Sequence, residues 1–400
     1  MDLSQRATEL APSATLTLDA KVKDMVRQGK DVISLAVGEP DYDTPSYIKA
    51  AAVDAIEEGF TKYTAAAGIP ELRSAIAAKF KRDNGLDYAP SQVVVTSGAK
   101  QACYNALLAL CGPGDEVIIP APYWVSYVEQ VKLAGATPVV VECGAGAGFK
   151  LAAAALKKAA TRRAKVLVLN SPCNPTGVVY AAAELEELAA AALDLGMYVI
   201  SDEIYEKLVY DGAAHVSIAS FGDDIKRRTV VVNGVSKAYA MTGWRIGYAA
   251  GEPDVIKAMI DIQSHVTSHA TSIAQRAAVA ALSGGEAEIL AMAAEFDRRR
   301  RLALERLAGV PGFTCARPAG AFYLFPDVTG LVGRGSGGRR LEGSSDLALA
   351  LLEEAHVGVV PGEAFGAPGH LRLSYALSRE RLGQAIDRIQ AFATRVMEGG

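Results

Sequence analysis

The chain has 400 residues, of which 50% are hydrophobic and 22% are charged, and its formal net charge is −4. That length predicts more than one domain, and the composition predicts a folded protein with a large core rather than a disordered chain. The small negative charge offers no basic surface for nucleic acid or anionic membranes, and no apolar run reaches the ~20 residues of a membrane helix.

The five cysteines are scattered and form no CxxC pair, so the sequence predicts neither a disulfide framework nor a metal site. Residues 1–6 lack the basic-then-apolar order of a secretion signal. Both features favour the reducing cytoplasm as the location of the protein.

Between about residues 90 and 250, short β-branched runs alternate with alanine-rich helical stretches. Strands are predicted at 93–96, 116–119, 137–141, 165–169, 197–200, 229–232 and 246–249. Nearly continuous apolar strands separated by helices are typical of a mostly parallel sheet that is covered on both faces. In such sheets, ligands bind beyond the carboxyl ends of the strands.

The pattern changes after residue 253 and predicts a second, α+β domain. Its predicted elements are a helix at about 286–308, strands at 312–315, 321–325, 357–360 and 371–375, and a terminal helix at 378–397. We interpret the arginine run 298–301 as a solvated helix face, and the Gly-, Ser- and Arg-rich segment 330–345 as an exposed loop. The predicted domains are an N-terminal arm with part of the small domain (1–45), a large α/β domain (46–285) and a small C-terminal domain (286–400). Residues 1–45 are expected to pack with the small domain or to reach a partner subunit.

The segment after the predicted strand 229–232 is the most informative for function. Lys237 lies there among small residues, and Arg245 follows eight residues later. A lysine amine can form a Schiff base with an aldehyde, and an arginine can bind a phosphate with two hydrogen bonds. Pyridoxal phosphate (PLP) carries both groups, although a solvated loop lysine is the alternative interpretation of Lys237.

Two further candidates follow other predicted strands. Asp202 could keep a pyridine nitrogen protonated, which would make the ring a stronger electron sink, although a helix N-cap is the alternative. Tyr205, three residues on, would lie on the same helical face and could hydrogen-bond a phenolic oxygen. Asn174 lies in a rigid loop with two prolines, which could hold its amide towards a cofactor oxygen.

The remaining candidates are an anion site, an aromatic residue and a buried cation. Residues 97–101 close a strand and open a helix, whose free N–H groups suit a phosphate. Trp124 could stack on an aromatic cofactor, although core packing is the commoner fate of a tryptophan. Arg372 lies in an apolar predicted strand, where a guanidinium needs an anionic partner such as a substrate carboxylate.

In combination, these segments resemble the fold type I PLP enzymes, and within them the class I aminotransferases. The resemblance covers nearly the whole chain and rests on Gly38-Glu39-Pro40, Thr61-Lys62-Tyr63, Pro122-Tyr123-Trp124, Asn174-Pro175-Thr176-Gly177, Asp202-Glu203-Ile204-Tyr205, Ser236-Lys237 with Arg245, and Arg372. It implies a large α/β domain, with a mostly parallel seven-stranded sheet between helices, and a smaller α+β domain. The chain is most similar to bacterial aspartate aminotransferases of the Iβ subgroup, some of which also use prephenate.

The resemblance implies a role for each cofactor-binding residue. Lys237 would hold PLP and then move a proton between substrate and cofactor, with Asp202 and Tyr205 as further catalytic residues. Asp202 would pair with the ring nitrogen, Trp124 would stack on the ring, and Asn174 and Tyr205 would contact its oxygen. The remaining cofactor-binding residues would surround the phosphate: Ser97, Gly98, Ala99, Lys100, Ser236, Arg245, and Tyr63 from a second subunit. Because Tyr63 would come from a second subunit, the resemblance also implies a homodimer with shared active sites.

The resemblance also implies a substrate. Arg372 would bind the α-carboxylate beside the Gly38 backbone, Trp124 and Asn174 would line the same pocket, and Thr15 with Lys100 would hold the side-chain carboxylate. The implied reaction is L-aspartate plus 2-oxoglutarate to oxaloacetate plus L-glutamate. The alternative is a prephenate, aromatic or specialised-pathway aminotransferase.

Three residues depart from the usual pattern. Prephenate-competent relatives commonly carry a lysine just before the segment 12–15, where this chain has Ala11, and that argues against prephenate. Cys173 and His269 are also unusual, and His269 is interpreted either as a surface residue or as a pocket residue with a pH-dependent charge. A PLP-sensing DNA-binding regulator is disfavoured, because too few residues precede Gly38 for a helix-turn-helix module.

Overall fold

The computed structural model describes residues 3–12 and 14–399, so that Ser13, in the segment 12–15 named above, lies outside the described residues. The helices are α1 (Gln5–Thr8), α2 (Ala14–Arg27), α3 (Ser46–Glu57), α4 (Pro70–Asn84), α5 (Ala99–Leu110), α6 (Ser126–Leu133), α7 (Ala153–Ala159), α8 (Ala182–Asp194), α9 (Asp223–Arg228), α10 (Pro253–Val266), α11 (Ser272–Ser283), α12 (Glu286–Leu307), α13 (Ser344–Glu354) and α14 (Arg379–Glu398). None of these described helices is by itself long and apolar enough to cross a membrane. Only α11 and α12 taken together meet the length and composition requirements, as a pair bent by 83°.

The strands are β1 (Ile33–Ser34), β2 (Val93–Thr96), β3 (Glu116–Ala121), β4 (Thr137–Glu142), β5 (Ala164–Asn170), β6 (Tyr198–Asp202), β7 (Thr229–Gly234), β8 (Gly247–Ala250), β9 (Tyr323–Leu324), β10 (Gly335–Ser336), β11 (Arg339–Arg340), β12 (Val357–Gly358), β13 (Val360–Pro361) and β14 (Leu371–Ser374). Strands β2 to β8 form one seven-stranded sheet in the order β2-β8-β7-β6-β5-β3-β4. Strand β8 is antiparallel to both of its neighbours, whereas all other pairs are parallel. The mostly parallel sheet predicted from the sequence is confirmed.

Helices cover both faces of this sheet because successive side chains of a strand point to opposite faces. Val166 and Val168 of β5 belong to a core cluster that includes Ala102 and Leu107 of α5. Leu167, the residue between the two valines, belongs to the opposite cluster, which is built with α7 and α8. Burial on both faces therefore accounts for the nearly continuous apolar sequence of these strands.

A second core lies among the C-terminal elements. Helices α12, α13 and α14 pack against a three-stranded antiparallel sheet of order β13-β14-β9. Ile33 and Leu35, from the N-terminal part of the chain, are buried in the same cluster. The division of the chain into 1–45, 46–285 and 286–400 stays a prediction.

The predictions for the C-terminal region are partly wrong. Residues 312–315 form no strand, because only Thr314 makes an isolated bridge, to Asp327. The predicted strand 357–360 is divided, because β12 pairs with β1 whereas β13 pairs with β14. The segment 330–345, predicted as an exposed loop, contains the β10–β11 hairpin and a fully buried Leu341, and its last two residues begin α13.

The interpretation of residues 298–301 as a solvated face is wrong for the two central arginines. The side chain of Arg299 is 8% exposed and pairs with Asp41 and Glu295. The side chain of Arg300 is fully buried and pairs with Asp211 and Asp297. Acidic groups three or four residues away, together with the remote Asp41 and Asp211, neutralise these guanidinium groups and so permit their burial.

Candidate active site

A cavity of about 440 Å³ lies beyond the carboxyl ends of the parallel strands. This volume falls within the range of ~300–1,000 Å³ that is typical of small-molecule sites. The cavity is lined by most of the residues that the sequence singled out: Thr15, Gly38, Ala99, Lys100, Trp124, Asn174, Asp202, Tyr205, Ser236, Lys237, Arg245 and Arg372. Ser97, Gly98 and Tyr63 do not line it. The fold therefore brings together side chains that are far apart in the sequence.

Lys237 reaches the cavity from the turn that follows β7. Its side chain is partly buried, and its Nζ donates a hydrogen bond to the carbonyl oxygen of Gly38. No carboxylate of the described residues lies within ion-pair distance of this Nζ. Burial lowers the pKa of Lys237 to about 8, against the opposing effect of Glu39 and with the help of the nearby Arg372. A substantial fraction of the amine is therefore neutral near physiological pH.

We expect Lys237 to react with formaldehyde and cyanoborohydride at neutral pH faster than exposed lysines do, because only a neutral amine attacks an aldehyde. With a pKa of about 8, roughly a tenth of the Lys237 amine is neutral at pH 7, against fewer than about one in a thousand for an ordinary lysine. Its labelling rate should rise with pH and level off above about pH 8. Peptide mass spectrometry can compare the labelling rate of Lys237 with that of the exposed Lys257. If the two labelling rates rose in parallel above pH 8, the lowered pKa of Lys237 would be contradicted.

Asp202 ends β6 on the floor of the cavity. The Tyr127 hydroxyl donates to its Oδ2 over 2.6 Å, and the backbone N–H of Ile204 donates to its Oδ1 over 3.2 Å. Burial raises the pKa of this carboxyl group, and the hydrogen bond from Tyr127 opposes the shift. Asp202 is thus a buried carboxylate whose orientation is set by Tyr127, a residue to which the sequence analysis gave no role.

The predicted relation between Asp202 and Tyr205 is wrong in its geometry. Residues 204–207 form turns rather than a helix, so the two side chains share no helical face and Asp202 caps no helix. They meet in the cavity because the chain turns directly after β6. The Tyr205 hydroxyl is hydrogen-bonded to that of Tyr323 over 2.8 Å, and Tyr323 is a further lining residue that sequence reasoning missed.

An anion site lies where α5 begins. Ala99 and Lys100 are its first two residues, and their N–H groups have no acceptor within the helix. The Arg245 guanidinium stands beside them, exposed, and forms no ion pair with any described residue; it donates to the carbonyl oxygens of Thr242 (2.9 Å) and Ser97 (3.3 Å). A phosphate could bind here, because the helix dipole, the free N–H groups and the guanidinium all attract an anion.

Ser97 and Gly98 pack against the Arg245 guanidinium of this anion site. Gly98 has a φ of 85°, and a Cβ atom on it would lie 2.4 Å from Nη2 of Arg245. A side chain at position 98 would therefore displace the guanidinium as well as strain the backbone. The contact of both residues with the cofactor stays a prediction, and in this structure both adjoin Arg245 without lining the cavity.

Arg372 is the most unusual charge in the cavity, because it is 2% exposed and has no carboxylate partner among the described residues. Nη2 donates to the carbonyl oxygen of Ala36 (2.6 Å) and Nη1 to Oδ1 of Asn174 (3.0 Å), while the buried Nε has no acceptor. The guanidinium lies 4.6 Å from the ring centre of Tyr323. Burial lowers its pKa. A buried cation with an unused donor is a site for an anion.

The polar residues at the strand ends hold one another in place. The register of β5 and β6 sets Asn170 beside Asp202. The Asn170 side chain accepts a hydrogen bond from the Asn174 N–H (2.8 Å) and donates one to the carbonyl oxygen of Asp202 (2.9 Å). Asn170 is another lining residue without a sequence-based role, and it joins the Asn174 loop to the strand that carries Asp202.

The fourth cation of the cavity lining is Lys100. Lys100 is exposed, forms no ion pair with any described residue, and its Nζ lies 4.9 Å from the ring centre of Trp124. Partial desolvation of its amine and the nearby Arg245 lower the pKa of Lys100. Thr15 lines the cavity from α2, as do Leu16 and Asp19, which the sequence analysis did not consider.

Three further residues named from the sequence, Tyr63, His269 and Cys173, do not line this cavity. Tyr63 is 92% exposed, and its ring packs edge-on at 5.7 Å against His269, which is partly buried and accepts a hydrogen bond from the Thr64 N–H. His269 is thus neither a free surface residue nor a residue of this cavity. Cys173 is buried, and burial raises the pKa of its thiol to about 11, which makes it a packed thiol of low reactivity.

A buried acidic cluster lies behind the cavity, where Glu203, Glu206 and His215 have potential ligand atoms within 4.8 Å of one another. Glu206 pairs with Lys79, and Glu203 accepts from His215 (3.0 Å) as well as from two serine hydroxyls. Burial alone would lower the pKa of His215, but Glu203 raises it above its ordinary value. The charges of this cluster are therefore balanced by partners within the protein.

Comparisons with known proteins agree with this arrangement. Residues 30–389 match the family model described as aminotransferase class I and II. The chain is 51% identical to an aspartate aminotransferase of Geobacillus stearothermophilus, over 98% of this chain and 99% of the relative. It is 50% identical to an aspartate/prephenate aminotransferase of Cereibacter sphaeroides, over 98% of each chain. The solved aspartate aminotransferase of Rhizobium meliloti matches with a TM-score of 0.95 and 45% identity, over 99% of this chain and 100% of that one.

Proposed function

This chain belongs to the class I and II aminotransferase family, and we propose that it transfers the amino group of L-aspartate to 2-oxoglutarate, giving oxaloacetate and L-glutamate. The observation that carries this proposal is a set of four cations that line the cavity and have no carboxylate partner among the described residues. The cofactor would take Lys237 and Arg245, which leaves Arg372 and Lys100 for the substrate. A dicarboxylic substrate would satisfy both, with its α-carboxylate on Arg372 and its side-chain carboxylate on Lys100 and Thr15. The curated relatives named aspartate aminotransferase support the same substrate.

We propose PLP as the cofactor because the residues of the cavity fit it. Lys237 offers a reactive amine, Trp124 an aromatic face, and Asp202 a buried carboxylate for the ring nitrogen. Asn174 and Tyr205 would contact the ring oxygen. The phosphate would be bound at the start of α5 by Arg245, Ser236 and the N–H groups of Ala99 and Lys100. When bound, PLP supplies an electron sink that stabilises negative charge at the substrate Cα.

Three side chains of this protein would perform the proton transfer and the positioning. Lys237, with a pKa of about 8, can accept and return a proton at Cα, since an acid–base group works best near the operating pH. Arg372 would hold the α-carboxylate and so fix the direction in which the Cα–H bond points. Asp202, oriented by Tyr127, would keep the ring nitrogen protonated.

We also propose a homodimer with shared active sites. The support from this chain is Tyr63, a large side chain that is 92% exposed although it is held in place by His269. In the dimer, Tyr63 would reach the phosphate in the partner subunit. No nucleic acid or membrane partner is expected, and a cytoplasmic location stays a prediction.

The second candidate is prephenate as an amino acceptor, which the relative from Cereibacter sphaeroides favours. Ala11 argues against it, because its methyl group supplies no charge for the second carboxylate of prephenate. The backbone N–H of Ala11 donates to Oε2 of Glu129 (3.2 Å), and Ala11 does not line the candidate active-site cavity. Aspartate and 2-oxoglutarate therefore remain the leading pair.

A panel of amino donors tests the substrate, with each half-reaction followed by the absorbance of the bound cofactor. We expect aspartate and glutamate to remove the visible band and alanine and phenylalanine to do so poorly. Lys100→Ala should weaken the response to aspartate about 10- to 100-fold, because a charge-assisted contact is lost, and leave alanine unchanged.

The matched control is Lys132→Ala, because Lys132 is paired with Glu129 and does not line the cavity. This variant should behave like the unchanged protein with every donor. Poor removal of the band by both aspartate and glutamate would show that the proposed substrate is wrong. Rapid turnover of prephenate with aspartate as donor would favour the second candidate.

A further inference from the structure

Tyr323 lies between three residues that the proposed function uses, although it has no role in the interpretation so far. It begins β9, is fully buried and lines the cavity. Its hydroxyl is 2.8 Å from that of Tyr205, and the face of its ring lies under the Arg372 guanidinium. A Cβ atom on Gly38 would lie 2.8 Å from the same hydroxyl. Tyr323 thus contacts the ring-binding side and the carboxylate-binding side of the cavity at once.

The surroundings of Tyr323 and Tyr205 favour one direction for the hydrogen bond between them. Burial raises the pKa of both phenols, so both are neutral and one must donate to the other. Among the described residues, the Tyr323 hydroxyl has no hydrogen-bond partner except Tyr205. The Tyr205 hydroxyl likewise has no other partner among these residues, so the geometry of the pair allows either one to donate. Tyr323 is fully buried whereas Tyr205 is 3% exposed, so a proton left over on Tyr323 has the poorer access to an acceptor, which costs free energy. If Tyr323 is the donor, the Tyr205 proton is free to point into the cavity.

We propose that Tyr323 is a positioning residue: it donates to Tyr205, and Tyr205 in turn donates to the negatively charged ring oxygen of the cofactor. This inference rests on the proposed PLP function. Two hydrogen bonds in series polarise each other, and a donor aimed at an anion stabilises its charged form. Tyr323 would therefore lower the pH at which the bound cofactor loses its proton.

The other charged groups around this pair are present with or without the Tyr323 hydroxyl. Arg372 faces Tyr323 from β14, Asp202 faces Tyr205 from β6, and the Lys237 Nζ lies 5.8 Å from the ring centre of Tyr205. Tyr323→Phe keeps the ring under Arg372 and the aromatic packing, and removes the hydroxyl alone. A change in the titration of the cofactor can then be assigned to the hydrogen bond.

The test is a spectroscopic pH titration of the visible band in the loaded protein, without substrate. We expect Tyr323→Phe to raise the titration midpoint by about 0.5 to 1 pH unit, which corresponds to one ordinary hydrogen bond. The matched control is Tyr375→Phe, since Tyr375 is buried in the same core cluster and donates to the carbonyl oxygen of Ala321 (3.0 Å), away from the cavity. Its midpoint should equal that of the unchanged protein.

A second comparison, with Tyr205→Phe and the double variant, tests the inference even if Tyr323→Phe lowers the stability of the protein. Tyr205→Phe should raise the midpoint at least as far as Tyr323→Phe, and the double variant should titrate like Tyr205→Phe, because Tyr323 acts only through Tyr205. An unchanged midpoint in Tyr323→Phe, or a further shift in the double variant, would overturn the inference. If the unchanged protein with PLP shows no visible band, the proposed function fails, and this inference with it.

Discussion

Replacement of Lys237 by arginine is expected to lower the turnover of aspartate at least ~10⁴-fold, the upper end of what a positioned acid–base group contributes. Arginine keeps the positive charge and the reach of the side chain. Because it stays protonated at every accessible pH, it can neither attack an aldehyde nor accept a proton from the substrate. The burial that lowers the pKa of Lys237 to about 8 cannot deprotonate a guanidinium.

Single-turnover absorbance with aspartate measures this loss. Borohydride reduction followed by peptide mass spectrometry should find the cofactor attached at position 237 in the unchanged protein and at no position in the variant. Lys207→Arg is the control, because Lys207 pairs with Asp83 (2.9 Å), and arginine can keep that ion pair. A Lys237→Arg variant with turnover within tenfold of the unchanged protein would refute the assignment.

The central sheet was predictable because its strands are buried on both faces. A strand such as β7 has six buried residues in succession, and this leaves an apolar run that stands out between alanine-rich helices. All seven predicted strands of this sheet are confirmed, with ends that differ by at most two residues. The short strands of the second core were less predictable, because two residues carry little pattern. Whether β12 pairs with β1 or with β14 is decided by contacts that are remote in sequence.

The site was predictable to the extent that it follows strand ends. In a mostly parallel sheet, residues such as Asn174, Asp202 and Lys237 come together at one edge because their strands end there. The supporting residues were not predictable in this way. Tyr127 and Tyr323 are 75 and 118 residues away from their partners, and nothing in the local sequence marks those hydrogen bonds.

The buried arginines show that local sequence patterns also fail to predict which charged side chains are buried. A run of four arginines looks solvated, because local patterning places such runs on exposed helix faces. Arg300 is buried nonetheless, and one of its counter-charges, Asp211, comes from a remote part of the chain. The local signal that could have been used is Asp297, three residues before it, which fits a helical ion pair.

The second large effect is expected at Arg372. Arg372→Leu should reduce kcat/KM for every amino acid and 2-oxo acid substrate by roughly a hundredfold to a few thousandfold, since losing one partner of a buried charge pair costs about 3–5 kcal/mol. The reason is that this buried guanidinium has no carboxylate of its own, so the substrate α-carboxylate would be its counter-ion. Arg372→Lys should recover part of the loss, because it restores the charge without the two-point geometry.

The substrate pattern separates this effect from that of Lys100. All α-amino acids carry the α-carboxylate, so the loss at Arg372 should be as large for alanine as for aspartate, whereas Lys100→Ala should affect dicarboxylates alone. Arg381→Leu is the control, because that arginine pairs with Asp31 far from the cavity, and it should leave the kinetics unchanged. Normal kcat/KM values in Arg372→Leu, or a loss confined to dicarboxylates, would mean that Arg372 does not bind the group common to all substrates.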